Sequence, residues 1–197
     1  MKEKIILIGG GGHCKSCIDV IEQQDRFDIV GVVERIGHTE GGGVLGYPIL
    51  GTDHDLSELR KRVEYAIITV GQTETPEPRI QLFDVLKKLD FSLPVIIAHT
   101  SYVSRHSLIG EGTIVMHQTL VNAGARIGIN CIINTKALVE HDAVVEEHCH
   151  IATGAIVNGG ATIGTGSFFG SAAVSKQYVS ISPRSFIKAN SMVGKRL

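Results

Sequence analysis

The sequence has no long apolar run, no excess of either charge and few cysteines, and each shortage excludes a class of protein. No stretch approaches the roughly 20 apolar residues of a membrane span, so membrane insertion is not expected. Met1-Lys2-Glu3-Lys4 followed by Ile5-Ile6-Leu7-Ile8 is too short, and too soon broken by glycine, to be the apolar core of a signal peptide. A cytoplasmic location is the expectation. Nineteen Lys and Arg against 20 Asp and Glu give a net charge of -1, with no basic block that could neutralise a row of phosphates, so nucleic acid is not an expected partner. Four cysteines in 197 residues do not make a disulfide framework in a reducing compartment and are read through packing or chemistry.

What is present is a period of six. Stepping from Ile97 gives Ile97, Val103, Ile109, Val115, Val121, Ile127, Ile133, Val139, Val145, Ile151, Val157, Ile163 and Phe169; Ser175 is the single polar member, and Ile181, Ile187 and Val193 follow. A small residue stands two places earlier, from Ser101 through Cys131 and Cys149 to Ala173. Three places after the apolar residue come turn-tolerant residues such as Gly112, Gly124, Asn130, Asp142 and Gly154, as corners with positive φ require. A β-sandwich would show a period of two with turn signals about every ten residues. The hexapeptide pattern instead predicts a left-handed parallel β-helix over 97–197, with three short strands to a coil and roughly five coils stacked about 4.8 Å apart.

Residues 1–96 read as a separate Rossmann-like α/β domain. A strand over Lys4–Ile8, a loop Gly9-Gly10-Gly11-Gly12, a helix over 13–24 and a strand over 29–33 open a doubly wound sheet. A strand over 65–70 and a helix over 78–89 follow, and Gly41-Gly42-Gly43 reads as a mobile loop. Such a glycine loop lets backbone N–H groups approach a phosphate at the helix N-terminus. The dinucleotide fingerprint is missing its third glycine, where Cys14 stands, which disfavours NAD. Glu34 ends the second strand where a ribose-binding acid would lie, beside Arg35.

Cys14 and Cys17 form a C-x-x-C without a second pair, so helix packing is the expected role; Cys131 and Cys149, eighteen residues apart, should stack in adjacent coils. His141, between Glu140 and Asp142, falls two residues after inward Val139, so its ring should leave the prism beside a carboxylate, as a general base requires. His148 and His150 lie in the next coil; with His141 they leave open a zinc site of the kind used by gamma-class carbonic anhydrases, which share the fold. His99 and His117 are read as surface residues without function.

Gly9–His13 after a strand, Gly71-Gln72 after a later one, Ile133-Asn134-Thr135, Glu140-His141-Asp142 and the hexapeptides resemble the NeuD/PglD-type sugar acyltransferases over nearly the whole chain. That family includes sialic-acid O-acetyltransferases and N-acetyltransferases of nucleotide-linked 4-amino sugars. The resemblance implies a catalytic base at His141 and, at Asp142, an acid that raises its basicity. It implies acetyl-CoA contacts at His150 and at the Gly159 N–H, with Ser171 and Ala189 lining the pantetheine tunnel, and no metal. Gly11, Gly12 and His13 match the loop that holds the nucleotide sugar, with Gly71, Gln72 and Asn134 as further substrate contacts; Glu34-Arg35 replaces an acidic pair that often contacts the base. The sequence stops at Gly194-Lys195-Arg196-Leu197 without the family's usual Gly-x-Pro-Ala-Lys closing segment, so altered adenine contacts are expected. The implied activity is direct acetyl transfer from acetyl-CoA to the amine of a nucleotide-linked 4-amino sugar, in a homotrimer whose active sites lie between subunits. Sugar O-acetylation, a non-catalytic nucleotide-sugar module and a zinc hydratase are the alternatives.

Overall fold

A computed structural model describes residues 2–35 and 42–194 of the chain. The readings that rest on Gly41 and on Lys195, Arg196 and Leu197 lie outside the described residues. Two compact units emerge: residues 1–71 with 78–94, and residues 72–77 with 95–197. The sequence places one boundary after residue 96; the structure puts it at 94/95 and assigns the six residues 72–77 to the second unit.

In the first unit β1 (Glu3–Ile8), β2 (Phe27–Val33), β3 (Ile49–Gly51) and β4 (Tyr65–Ile68) form one parallel sheet in the order β3-β2-β1-β4. Central β1 runs Ile5, Ile6, Leu7, Ile8, all buried, as a parallel strand covered on both faces must be. Helix α1 (Gly12–Gln24) buries Cys14, Cys17, Ile18 and Ile21, one stripe at helical spacing. The two C-x-x-C thiols are therefore core groups, and burial pushes both pKa values up, keeping them neutral. A 3-10 turn (Asp53–Asp55) leads into α2 (Leu56–Arg60), where the Asp55 carboxylate accepts the Thr52 backbone N–H at 2.8 Å. Helix α3 (Glu77–Lys88) buries Phe83, Leu86 and Arg79, whose guanidinium donates to the carbonyls of Ile68 and Val70.

Among the described residues the second unit has seventeen two-residue strands, β5 (Ile96–Ile97) to β21 (Met192–Val193). Each pairs in parallel with the strand three places along, giving the three sheets of a left-handed parallel β-helix, five, six and six strands deep. Pairings such as Arg126 with Val144 and Ile132 with His150 hold an offset of eighteen residues throughout. The inward column Val115, Val121, Ile127, Ile133, Val139, Val145, Ile151, Val157, Ile163 and Phe169 is buried against the small residues Ala125 to Ala173, including Cys131 and Cys149. The Cys131 sulfur, followed by burial, pushes the Cys149 thiol up, so Cys149 also stays protonated.

Every sixth residue from Gly112 to Asn190 has φ between 52° and 75°. The sequence marks five of these corners with glycine and others with Asn, Asp or His, but Gln118, Lys136, Ala172, Tyr178 and Arg184 adopt the same conformation without a favouring side chain. From Gln118 on, each corner N–H is tied to the coil before it, as in Lys136 N to His117 O at 2.9 Å and Ala172 N to Thr153 O at 3.0 Å, and this ladder holds unfavourable residues in place. Phe169→Ala, at a fully buried point of the column, should lower stability by about 3–5 kcal/mol, read from denaturant unfolding.

Candidate functional sites in the two units

The first unit holds a cavity of about 810 Å³ lined by the glycine loop, His13, Glu34, Arg35, Gly71 and part of α3. Its rim is built by backbone contacts. Gly9 bonds Val33 O through its N–H at 2.8 Å and receives the Thr69 hydroxyl on its carbonyl at 2.6 Å. At φ 104° its Cα lies so close to Val70 that a Cβ would fall 2.4 Å from Val70 Cγ2, so Gly9 serves the fold. Glu34 braces the loop: Oε2 accepts the Gly10 N–H at 2.7 Å and Oε1 the Arg35 N–H at 2.8 Å. Gly11 and Gly12 differ. Among the described residues a Cβ on either would meet nothing within 4 Å, so no contact with them demands glycine there. Both open to the cavity at the N-terminus of α1, where backbone N–H groups attract phosphate.

Of the residues singled out for the sugar nucleotide, the cavity gathers Gly11, Gly12, His13, Glu34, Arg35 and Gly71. Gln72 and Asn134 lie in the second unit. The buried Gln72 side-chain amide donates to His148 O at 3.0 Å, and the Gln72 backbone carbonyl accepts from His150 Nδ1. Asn134 Nδ2 stands 3.0 Å from His150 Nε2. Because the Gln72 carbonyl can only accept, the proton of neutral His150 sits on Nδ1 and Nε2 accepts from Asn134. The sequence reading missed Asp53, Pro78, Gln81, Leu82 and Val85 on the cavity wall. The last four form one face of α3 at helical spacing with Val85 exposed, a signal available in the sequence.

In the second unit the chain turns a corner after β12 (Leu138–Val139), and His141 leaves the prism with its side chain half exposed. Its Nδ1 lies 2.9 Å from Asp142 Oδ2. Glu140 Oε2 accepts the His141 backbone N–H at 3.2 Å and the Asn122 amide at 2.8 Å, fixing the backbone that carries the ring. The carboxylate fixes the tautomer with hydrogen on Nδ1 and leaves the Nε2 lone pair outward. Gly159, one coil on, is buried against that edge: a Cβ there would stand 2.7 Å from His141 Nε2. Ser171 and Ala189 are both exposed and occupy equivalent positions of adjacent coils, with Ser171 O accepting the Asn190 N–H at 2.9 Å. A second cavity, of about 890 Å³, is lined by Asn158, Ser175, Lys176, Tyr178 and Met192. Among the described residues no group of three or more His, Cys, Asp or Glu side chains converges as metal ligands would.

The two kinds of glycine predict opposite responses. Gly9→Ala should cost about 1–3 kcal/mol from backbone strain alone. Gly12→Ala, in the first turn of α1, should stabilise by about 0.4–1 kcal/mol. Thermal and denaturant unfolding of the two variants checks both signs.

Residues 4–85 match the family described as the PglD N-terminal domain. No curated protein sequence matches the chain. The acetyltransferase domain of PglB from Neisseria gonorrhoeae FA1090 superimposes with a TM-score of 0.90 at 28% identity, over 98% of this chain and 92% of that one. The same domain in complex with acetyl coenzyme A gives 0.87 at 29% identity, over 96% and 90%. A histidine-to-asparagine variant of perosamine N-acetyltransferase from Caulobacter crescentus, in complex with CoA and GDP-perosamine, gives 0.91 at 28% identity, over 98% and 90%. The family match of the first unit and the likeness of both units to these acetyltransferases point the same way: over nearly its whole length the chain is similar to PglD-type acetyltransferases.

Proposed function

We propose that the protein is an acetyl-CoA-dependent N-acetyltransferase acting on a nucleotide-linked 4-amino sugar. The observation that carries this reading is the His141 corner, where Nδ1 is held by Asp142 and Nε2 is turned to Gly159, where a Cβ would stand 2.7 Å from it. The amine nitrogen attacks the thioester carbonyl carbon while His141 Nε2 takes its proton; the tetrahedral intermediate then expels CoA sulfur, which receives that proton from the imidazolium. One C–N bond forms, one C–S bond breaks, and transfer is direct, since among the described residues no serine or cysteine is placed beside a base as an activated nucleophile. The Gly159 N–H is the donor for the developing oxyanion. His150, Ser171 and Ala189 are assigned to the acyl-CoA. The cavity of the first unit is assigned to the nucleotide sugar, its diphosphate on the Gly11-Gly12 end of α1. The amine is favoured as acceptor by the likeness to the Caulobacter crescentus enzyme, whose structure holds GDP-perosamine.

Self-association is part of the reading. One outer face of the β-helix carries Tyr102, Leu120, Leu138, Ile156, Val174 and Met192 in a single column, with Tyr102 61% and Met192 68% exposed. A stripe of six apolar side chains along a protomer's length suits an interface between copies, and we assign it to a homotrimer with acetyl-CoA held between neighbouring coils. Ile156→Glu, at the middle of the column, should yield monomers in sedimentation velocity and abolish turnover.

The direct test is CoA release from acetyl-CoA with UDP- and GDP-linked 4-amino sugars and with sialic acids. Release with one amino sugar, lowered at least about 100-fold by His141→Ala, is the expected result. Release with sialic acid alone would replace the N-acetyltransferase reading with O-acetylation, and no release with any acceptor would overturn both.

A further inference from the structure

The inward column has one polar member, Ser175, and it is fully buried. Elsewhere the residue after each inward position, from Ala98 to Lys176, donates its backbone N–H to the carbonyl of the inward residue one coil on. Examples are Asn122 to Val139 O, Glu140 to Val157 O and Lys176 to Val193 O, at 2.8–2.9 Å. Asn158 alone departs from the rule: its N–H goes to the Ser175 hydroxyl oxygen at 2.8 Å, and its side-chain amide donates to the Ser175 carbonyl. The Val157–Ser175 pair is correspondingly missing from the ladder, where only Ile156 and Val174 pair.

This substitution of acceptors bears on the next residue. At comparable corners the side chain preceding the turn folds back to cap the following N–H: Asn122 Oδ1 on Ala123 N, Asn134 Oδ1 on Thr135 N, both at 2.8 Å, and Glu140 Oε2 on His141 N. Asn158 has the side chain to do the same for Gly159 but spends its amide on Ser175. Among the described residues the Gly159 N–H meets no acceptor, although Gly159 is buried against the His141 ring.

We propose that Ser175 is a positioning residue of the acyl-transfer site, which by holding both the backbone and the side chain of Asn158 keeps the Gly159 N–H uncapped and available to the oxyanion. The proposal rests on the acetyltransferase reading and explains why a buried hydroxyl interrupts an otherwise apolar column. A Val side chain there would complete the column and return the ladder to its rule, letting Asn158 fold back on Gly159 and occupy the donor that the thioester oxygen needs.

Two variants of equal volume separate this from a packing role. Ser175→Val should leave the melting temperature unchanged or raised, lower kcat by about 100-fold, the loss seen when one oxyanion donor is removed, and leave KM for acetyl-CoA nearly unchanged. Ser175→Thr, which keeps the hydroxyl, should rescue turnover, and so should Asn158→Ala added to Ser175→Val, because it removes the competing cap. Amide hydrogen exchange at Gly159, followed by NMR, supplies a readout without turnover: exchange slows in Ser175→Val and returns in the double variant. Native kcat in Ser175→Val, a double variant as slow as the single one, or identical Gly159 exchange in all three would overturn the proposal. Should the native protein acetylate no acceptor, the functional reading fails while the exchange experiment still decides whether Ser175 governs this N–H.

Discussion

The backbone ladder that pairs each residue of the β-helix with the one eighteen places on is the constraint from which the second unit takes its order. It fixes which side chains enter the prism, which form the outer column from Tyr102 to Met192, and which stand at corners. Because those bonds are repeated at each strand and corner, they overrule local preference, as at Gln118, Lys136 and Tyr178, which hold positive φ without a side chain that favours it. The same stacking sets Gly159 one coil beyond His141, so proximity of base and backbone donor follows from the period alone.

Departures from the ladder carry more information than its regular parts. The core needs an apolar residue at 175 and gets a serine; the corner at 159 follows an asparagine that leaves the next N–H uncapped, where Asn122 and Asn134 cap theirs. Gly159 lies against the ring of His141, and Ser175 is bonded to the residue before it. In the first unit the glycine loop divides along similar lines. Gly9 answers to the packing of Val70, whereas Gly11 and Gly12 answer to nothing among the described residues. A demand left unexplained by a protein's own contacts points to something that it binds.

Much of this is legible in the sequence because periodicity is a strong signal where one side chain in six must fit one slot. The inward column, the small-residue column and the outward His141 follow from counting. The three-residue β3 does not, being too short to show alternation, and neither does the attachment of residues 72–77 to the coils, since Gln72 reads as part of a loop after a strand and reveals its bonds to His148 and His150 only in three dimensions. The wall that α3 gives the cavity was within reach, as Pro78, Leu82 and Val85 share a face. The roles of Glu34 and Ser175 were not, because each depends on which backbone N–H it receives.

The eighteen-residue offset also governs how such a chain can change length. Inserting one residue into a coil would rotate every later side chain out of its slot, sending core residues outward and corner residues into strands. Gain or loss of a whole coil leaves all remaining pairings intact, since each coil touches only its neighbours. Length variation in this unit is therefore quantised, and beyond the coils that hold His141, Gly159 and Ser175 a gene could lengthen or shorten the prism in whole turns while the chemistry stayed where it was.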